Sequence, residues 1–215
     1  MSGEHSSSGH HDQHPGIESN SDSSYYAKRI RAIEALLIEK GVVTREDVRR
    51  WIDALDLRSP ADGARLVARA WRDPQFKARL LENPKGAAAE LGIDASVLEE
   101  VEFVVVENTE KVRHLVVCTL CSCYPRGILG RPPDWYKSLS YRSRAVVEPH
   151  EVVREFGLEL SDDVEVQVHD STANMRYLVL PQRPPGTDHL SEEELARLVT
   201  RDSMIGVGDP RFELA

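Results

Sequence analysis

The chain has 215 residues, 40% of them apolar and 29% charged, with 27 basic against 36 acidic side chains and a net charge of −9. That length suits one large domain or two small ones, the composition is that of a soluble globular protein, and the acidity argues against non-specific nucleic-acid binding. No apolar run approaches the ~18 residues of a spanning helix, and the N-terminus lacks the basic and apolar regions of a signal peptide, so a cytoplasmic location is expected.

Residues 1–24 hold eight Ser, four of the eight His (His5, His10, His11, His14), four acids and no Lys or Arg. Such a segment cannot bury enough apolar surface to offset its ordering entropy. A disordered tail is expected, its histidines at most a loose metal trap. Residues 25–215 then carry 27 basic and 32 acidic side chains, a net −5.

Residues 25–100 read as a helical N-terminal region. Ile30, Ile33, Leu36 and Leu37 recur at three- and four-residue spacing, and Gly41 is a C-terminal stop. Thr44 with Asp47 resembles a capping box, followed by Val48, Trp51, Ile52 and Leu55 on one face. A helix over Gly63–Arg72 carries Leu66, Val67, Ala70 and Trp71. Asp73-Pro74 and Asn83-Pro84 each read as an N-cap followed by proline at the first helical position, the second helix ending at Gly92. These helices need not close a core alone, and some of their apolar faces are expected to belong to a partner chain.

Residues 101–215 read as an α+β domain. Phe103–Val106 and His114–Val117 are β-branched apolar runs around Glu107-Asn108-Thr109, the pattern of strand, turn, strand. Val164, Val166 and Val168 alternate with polar residues as in a half-buried strand, and the polar turn Asp170–Asn174 leads to Met175–Leu180 as the next strand of a hairpin. Short helices are expected at 132–140, 149–156 and 191–200, the last opened by Ser191 with Glu194.

All three cysteines, Cys118, Cys121 and Cys123, fall within six residues, an odd and tight set that cannot be a disulfide framework. A strand delivers the chain to Cys118, and a tight loop of one helical turn follows, ended by Pro125. The C-x-x-C spacing lets two sulfurs converge on one ion. The overlapping C-x-C leaves the amide nitrogens of Ser122 and Cys123 within reach of a metal held by the Cys121 and Cys123 sulfurs, a geometry that only a strongly Lewis-acidic, trivalent ion sustains. Four readings compete. Structural zinc lacks a fourth ligand nearby, His114 reading as a surface or packing residue. An iron–sulfur cluster usually takes four cysteines. A dithiol redox site leaves Cys123 unexplained, and a catalytic metal with an open position fits three sulfurs best. Ser122 has no triad context and is no protease-type nucleophile.

The string VCTLCSCYP at 117–125, followed by ILGRPPDWYKSLSYRSRAVV, resembles the α subunit of nitrile hydratase. VVENT at 105–109, MRYLVLPQRPPGT at 175–187, SEEELARLVTRDSMIGV at 191–207 and LVARAWRDPQFKARLL at 66–81 extend the resemblance from about residue 25 to 207. The related thiocyanate hydrolase γ subunit shares the cysteine motif.

The resemblance implies an α-β-β-α layered domain behind the helical arm. It implies one low-spin trivalent cobalt or iron per chain, held by Cys118, Cys121 and Cys123 and by the amides of Ser122 and Cys123. It also implies oxidation of Cys121 to sulfinic and Cys123 to sulfenic acid. Thr119 and Tyr124 are similar to cobalt rather than iron members, so cobalt(III) is expected. The implied reaction is hydration of a nitrile to its amide, the ion polarising the nitrile or activating water, and the Cys123 sulfenate serving as nucleophile or base. A β-type partner subunit is implied, its arginines hydrogen-bonding the sulfur oxygens. Asp170 and Arg176 match positions that orient the site. Arg126 stands where most nitrile hydratases have a Trp lining the substrate pocket, which points to a wider, more polar pocket and a bulky heterocyclic nitrile such as toyocamycin. Arg126 also resembles the γ subunit of thiocyanate hydrolase, so the alternative expected is a γ-like subunit producing carbonyl sulfide and ammonia.

Overall fold

A computed structural model describes residues 23–94, 101–121 and 123–212. The expected tail falls outside these residues except for Ser23 and Ser24, and so does Ser122. Helices α1 (Ser23–Glu39) and α2 (Arg45–Asp56) come first. Gly41, at φ +68°, ends α1 with its N–H on the Ile38 carbonyl. Thr44 and Asp47 form the expected reciprocal cap: the Thr44 hydroxyl accepts from Asp47 N–H at 3.0 Å and the Asp47 carboxylate accepts from Thr44 N–H at 3.0 Å.

Helix α3 (Ala61–Arg72) starts two residues ahead of the expected Gly63, behind Pro60 and without a side-chain cap, while α4 (Pro74–Glu82) and α5 (Pro84–Glu90) start where the cap signals place them. Asp73 accepts from the N–H groups of Gln75 and Phe76, and Asn83 from Gly86. Their buried faces, Leu66, Val67, Phe76, Leu80 and Ala87, share one core with Phe103, Leu115, Val117, Leu178 and Leu180 from the strands. Each such Val, Leu or Phe side chain removed from water contributes about 1.5–3 kcal/mol. By contrast, neither α1 nor α2 packs extensively on any other element.

Strands β1 (Glu102–Glu107), β2 (Val112–Val117), β3 (Glu165–Asp170) and β4 (Met175–Leu180) occupy the expected segments, but their pairing corrects the hairpin reading. β3 and β4 do not pair with each other. β1 pairs in parallel with β4, Phe103 opposite Arg176, and β2 pairs in parallel with β3, Val117 opposite Asp170. The physical reason lies in the strand ends. Leu115-Val116-Val117 and Leu178-Val179-Leu180 are buried on both faces, as parallel strands between layers are, whereas a half-solvated hairpin would alternate.

The polar turn 171–174 thus carries the chain from one two-stranded sheet to the other. β2 packs on β4, α4 and α5 lie against β1, and α8 and α9 lie against β2 and β3, so that two sheets are flanked by helices. The crossover from β2 to β3 contains the cysteine loop and α6 (Arg126–Leu129), α7 (Asp134–Lys137), α8 (Leu139–Val147) and α9 (Pro149–Glu155).

The helix expected at 132–140 is broken at Ser138, whose hydroxyl accepts from Tyr141 N–H and starts α8 anew. The helix expected at 191–200 is present, and a further short helix that was not expected follows it. α10 (Glu192–Leu198) opens with the Ser191–Glu194 capping box, and a second box at Thr200 and Ser203 opens α11 (Arg201–Ile205). Gly206 ends α11 at φ +96°, where a Cβ would meet the His114 carbonyl oxygen at 1.8 Å, so only glycine lets this corner lie on β2. His114 is half-buried: its Nε2 faces the Glu107 carbonyl at 3.1 Å and its Nδ1 lies 2.8 Å from His169 Nε2. The packing role expected for His114 is the one it has here. Among the described residues no helix is long and apolar enough to cross a membrane.

Candidate metal centre

The cysteine loop leaves the C-terminal end of β2 beside the C-terminal end of β3, the edge at which parallel sheets present their binding crevices. Cys118 is buried at the strand end, Cys123 is half-buried and Cys121 is exposed. The sulfurs of Cys118 and Cys121 are 3.4 Å apart, those of Cys121 and Cys123 3.1 Å, and all three lie within 4.8 Å of one another. This is the one group of three or more metal-ligating side chains among the described residues.

Burial pushes the Cys123 thiol up to about 12, the neighbouring Cys121 and Cys118 sulfurs push the same way, and the Arg176 cation pulls against them. Three sulfurs this close repel one another as thiolates, so the full set ionises together only around a cation. That donor set is soft, preassembled and incomplete. It suits a metal ion that takes further ligands from the main chain or from solvent.

Among the described residues of the loop there is no helical turn of the kind expected from the sequence, and Pro125 precedes a helix rather than ending one. The cause is competition for the main-chain groups. The Cys121 N–H donates to the Cys118 sulfur at 3.3 Å, and the carbonyls of Cys118 and Thr119 accept from Arg142 at 2.9 and 2.6 Å. On the other side Asp170 accepts from the Thr119 N–H at 2.9 Å and from its hydroxyl at 2.5 Å. Tyr136 donates its hydroxyl to the Cys123 carbonyl at 2.9 Å. Tyr124 is buried edge-on to Tyr136 with ring centroids 5.1 Å apart, which anchors the far end of the loop.

Thr119 and Tyr124 are themselves residues of the loop, and Asp170 is held against it through Thr119. Arg176 donates to the carbonyls of Thr172 and Met175 at the start of β4, and its charge reaches Cys123. Arg126 is exposed on α6 and lines a shallow cavity of about 280 Å³ with Arg131, Pro132, Asp134 and Lys137. In that cavity Arg131 pairs with Asp56 and Lys137 with Asp134. Two residues at the loop, Arg142 and Tyr136, were not singled out in the sequence. Their only signal there was membership of the string at 128–147.

Residues 24–208 match the family described as nitrile hydratase, alpha chain. The chain is 50% identical over 181 residues to the cobalt-containing nitrile hydratase subunit alpha of Pseudonocardia thermophila, covering 83% of this chain and 88% of that one. It is 43% identical over 189 residues to the thiocyanate hydrolase subunit gamma of Thiobacillus thioparus, covering 84% and 78%. Among solved structures, a double mutant of the Fe-type nitrile hydratase from Comamonas testosteroni superposes with a TM-score of 0.82 at 42% identity, covering 91% of this chain and 95% of that one.

Proposed function

The chain belongs to the nitrile hydratase α-chain family, and from that premise we propose that it is the metal-bearing subunit of a cobalt nitrile hydratase, hydrating a nitrile to the amide together with a β-type subunit. The observation that carries the reading is the preassembled trio of Cys118, Cys121 and Cys123 sulfurs at the end of β2. They would hold one cobalt(III), joined by the amide nitrogens of Cys123 and of Ser122, which lies outside the described residues. Cobalt is preferred to iron because Thr119 and Tyr124 match the cobalt pattern and because relatives named as cobalt-containing are about half identical to this chain.

When bound, such an ion supplies Lewis acidity for a nitrile nitrogen or a water molecule. The chain's own residues prepare the surroundings. Cys118, buried, fixes the inner corner of the site, while Cys121 is exposed and Cys123 half-buried. We assign the sulfinic state to Cys121 and the sulfenic state to Cys123, whose oxygen would take the proton from an attacking water or attack the nitrile carbon itself. Asp170 holds Thr119, and Arg176 places positive charge toward Cys123.

Arg126 lines a cation-rich cavity with Arg131 and Lys137, beside the cysteine loop in sequence but lined by none of its cysteines. This cation, in place of the Trp that the resemblance implies, is what favours a bulky, polar heterocyclic nitrile such as toyocamycin as substrate. Replacing Arg126→Trp is then expected to shift kcat/KM toward small nitriles, and an unchanged substrate profile would remove the pocket argument. Partner binding is supported by the apolar residues that α1 and α2 leave in solvent and by Leu120, 85% exposed in the middle of the cysteine loop.

The test is elemental analysis and an activity comparison on the chain co-purified with its partner from cobalt-supplemented cells. About one chelator-resistant cobalt per chain and amide formed from nitriles are expected. Zinc, readily stripped metal, or turnover of thiocyanate in preference to nitriles would overturn the assignment. The nitrile reading stands ahead of the thiocyanate one because identity to the thiocyanate hydrolase γ subunit is lower, 43%.

A further inference from the structure

One cation at the loop is left without a role by everything above. Arg142 projects from the first turn of α8 and lies half-buried, its Nε on the Cys118 carbonyl at 2.9 Å and a terminal nitrogen on the Thr119 carbonyl at 2.6 Å. The peptide unit joining Cys118 to Thr119 is thereby held at both edges. Its oxygen accepts from Arg142, and its N–H donates to Asp170 at 2.9 Å. Further along, Tyr136 holds the Cys123 carbonyl at 2.9 Å. All three grips fall on main-chain atoms or on the Thr119 hydroxyl, and none of them is made to a sulfur.

The geometry points to Arg142 as a positioning residue of the metal loop, one that sets the ligand shape before the ion arrives and balances its charge afterwards. The inference rests on the reading of the three cysteines as ligands. Two properties of the guanidinium carry it. Its planar fork spans two consecutive carbonyls, which fixes the orientation of the peptide planes from which Cys118 and the following residues project. A lysine ammonium, a point donor on a flexible stem, cannot reproduce that. Its charge is also permanent. Three thiolates would cancel the charge of a trivalent ion, and two deprotonated main-chain amides would then leave the loaded loop with a net negative charge, part of which a fixed cation on the loop's main chain offsets from within this subunit. Arg176 adds charge toward Cys123 from the side of β4, but its hydrogen bonds go to its own strand and turn, so it compensates charge without shaping the loop.

A tie that served only to dock α8 on the loop would lower stability when cut and leave the metal centre unchanged in the folded fraction. The two cases separate in full-length protein co-expressed with its partner in cobalt-supplemented cells, comparing wild type with Arg142→Lys and Arg142→Gln. Three quantities are read at matched folded fraction: cobalt per chain, the rate at which chelator removes it, and the position of the sulfur-to-metal charge-transfer band. Loss of an outer partner of a metal ligand typically weakens binding about 10–100-fold.

Arg142→Gln is therefore expected to lose cobalt faster by that factor and to shift the band. Arg142→Lys, which keeps the charge without the fork, is expected to fall between. If Arg142→Gln does not accumulate folded, Arg142→Lys against wild type makes the same comparison. Equal retention and an unmoved band in the folded variants, whatever the change in Tm, would overturn the inference and leave Arg142 a structural tie. Wild type without bound cobalt would overturn the reading of the cysteines as ligands, and the inference with it.

Discussion

Cys121→Ala and Cys123→Ala are expected to abolish both cobalt retention and nitrile hydration while leaving the fold in place. The sulfurs of Cys121 and Cys123 project from the outer side of the loop and belong to no core cluster, so removing them empties no packed volume. What they remove is two of three ligating sulfurs held within 4.8 Å of one another. The loss of affinity should exceed the roughly 10–100-fold that deletion of a mere supporting partner costs. Cys118→Ala differs in kind. Cys118 is buried at the end of β2, and its sulfur also accepts the Cys121 N–H, so stability should fall along with metal content. Metal analysis, thermal unfolding and amide production on the three variants separate these effects. Full activity in Cys121→Ala or Cys123→Ala would refute the assignment of the trio as the metal site.

The features that were legible in the sequence are those whose partners lie within a few residues. Asp73, Asn83 and Ser191 cap helices through N–H groups two or three positions ahead, and the cysteine spacing announces its own convergence. Strand pairing was not legible. A polar turn such as 171–174 looks the same whether it closes a hairpin or passes between sheets, and the partner of β2 lies beyond the whole α6–α9 crossover. The supports of the loop were hidden for a related reason. Arg142 meets the Cys118 and Thr119 carbonyls from 24 and 23 positions away, and main-chain acceptors leave no trace in residue identity. Asp170 could be found only through resemblance. Nothing in its local pattern says that it is aimed at Thr119 rather than at solvent.

The chain by itself should be inactive, and activity should depend on the helical arm. On α1, Ile30, Ile33 and Leu36 are exposed; on α2, Ile52 is exposed and Trp51 is 71% exposed, while neither helix packs extensively on the rest of the molecule. Helices of 17 and 12 residues are marginal in water without tertiary support, so this arm is expected to gain stability on docking to the proposed partner. In the proposed complex the β-type subunit is expected to cover this arm and the exposed face of the cysteine loop together. Loss of the arm contact then reaches the metal site without touching a ligand.

Trp51→Glu and Ile33→Glu, made separately and together, remove no contact of this chain's own core, and their Tm alone should stay near wild type. Assembly should respond strongly. Removing a central aromatic anchor from an interface typically costs about 2–4 kcal/mol, or 30- to 1,000-fold in affinity. Co-purified partner, cobalt per chain and amide production should therefore fall together, and far-UV circular dichroism of the wild-type chain should gain helix on adding the partner. Undiminished co-purification of both variants would show that the β-type subunit docks elsewhere. Activity of the wild-type chain with no partner present would show that the exposed cysteine loop needs no cover, and that the arm serves some purpose other than completing the enzyme.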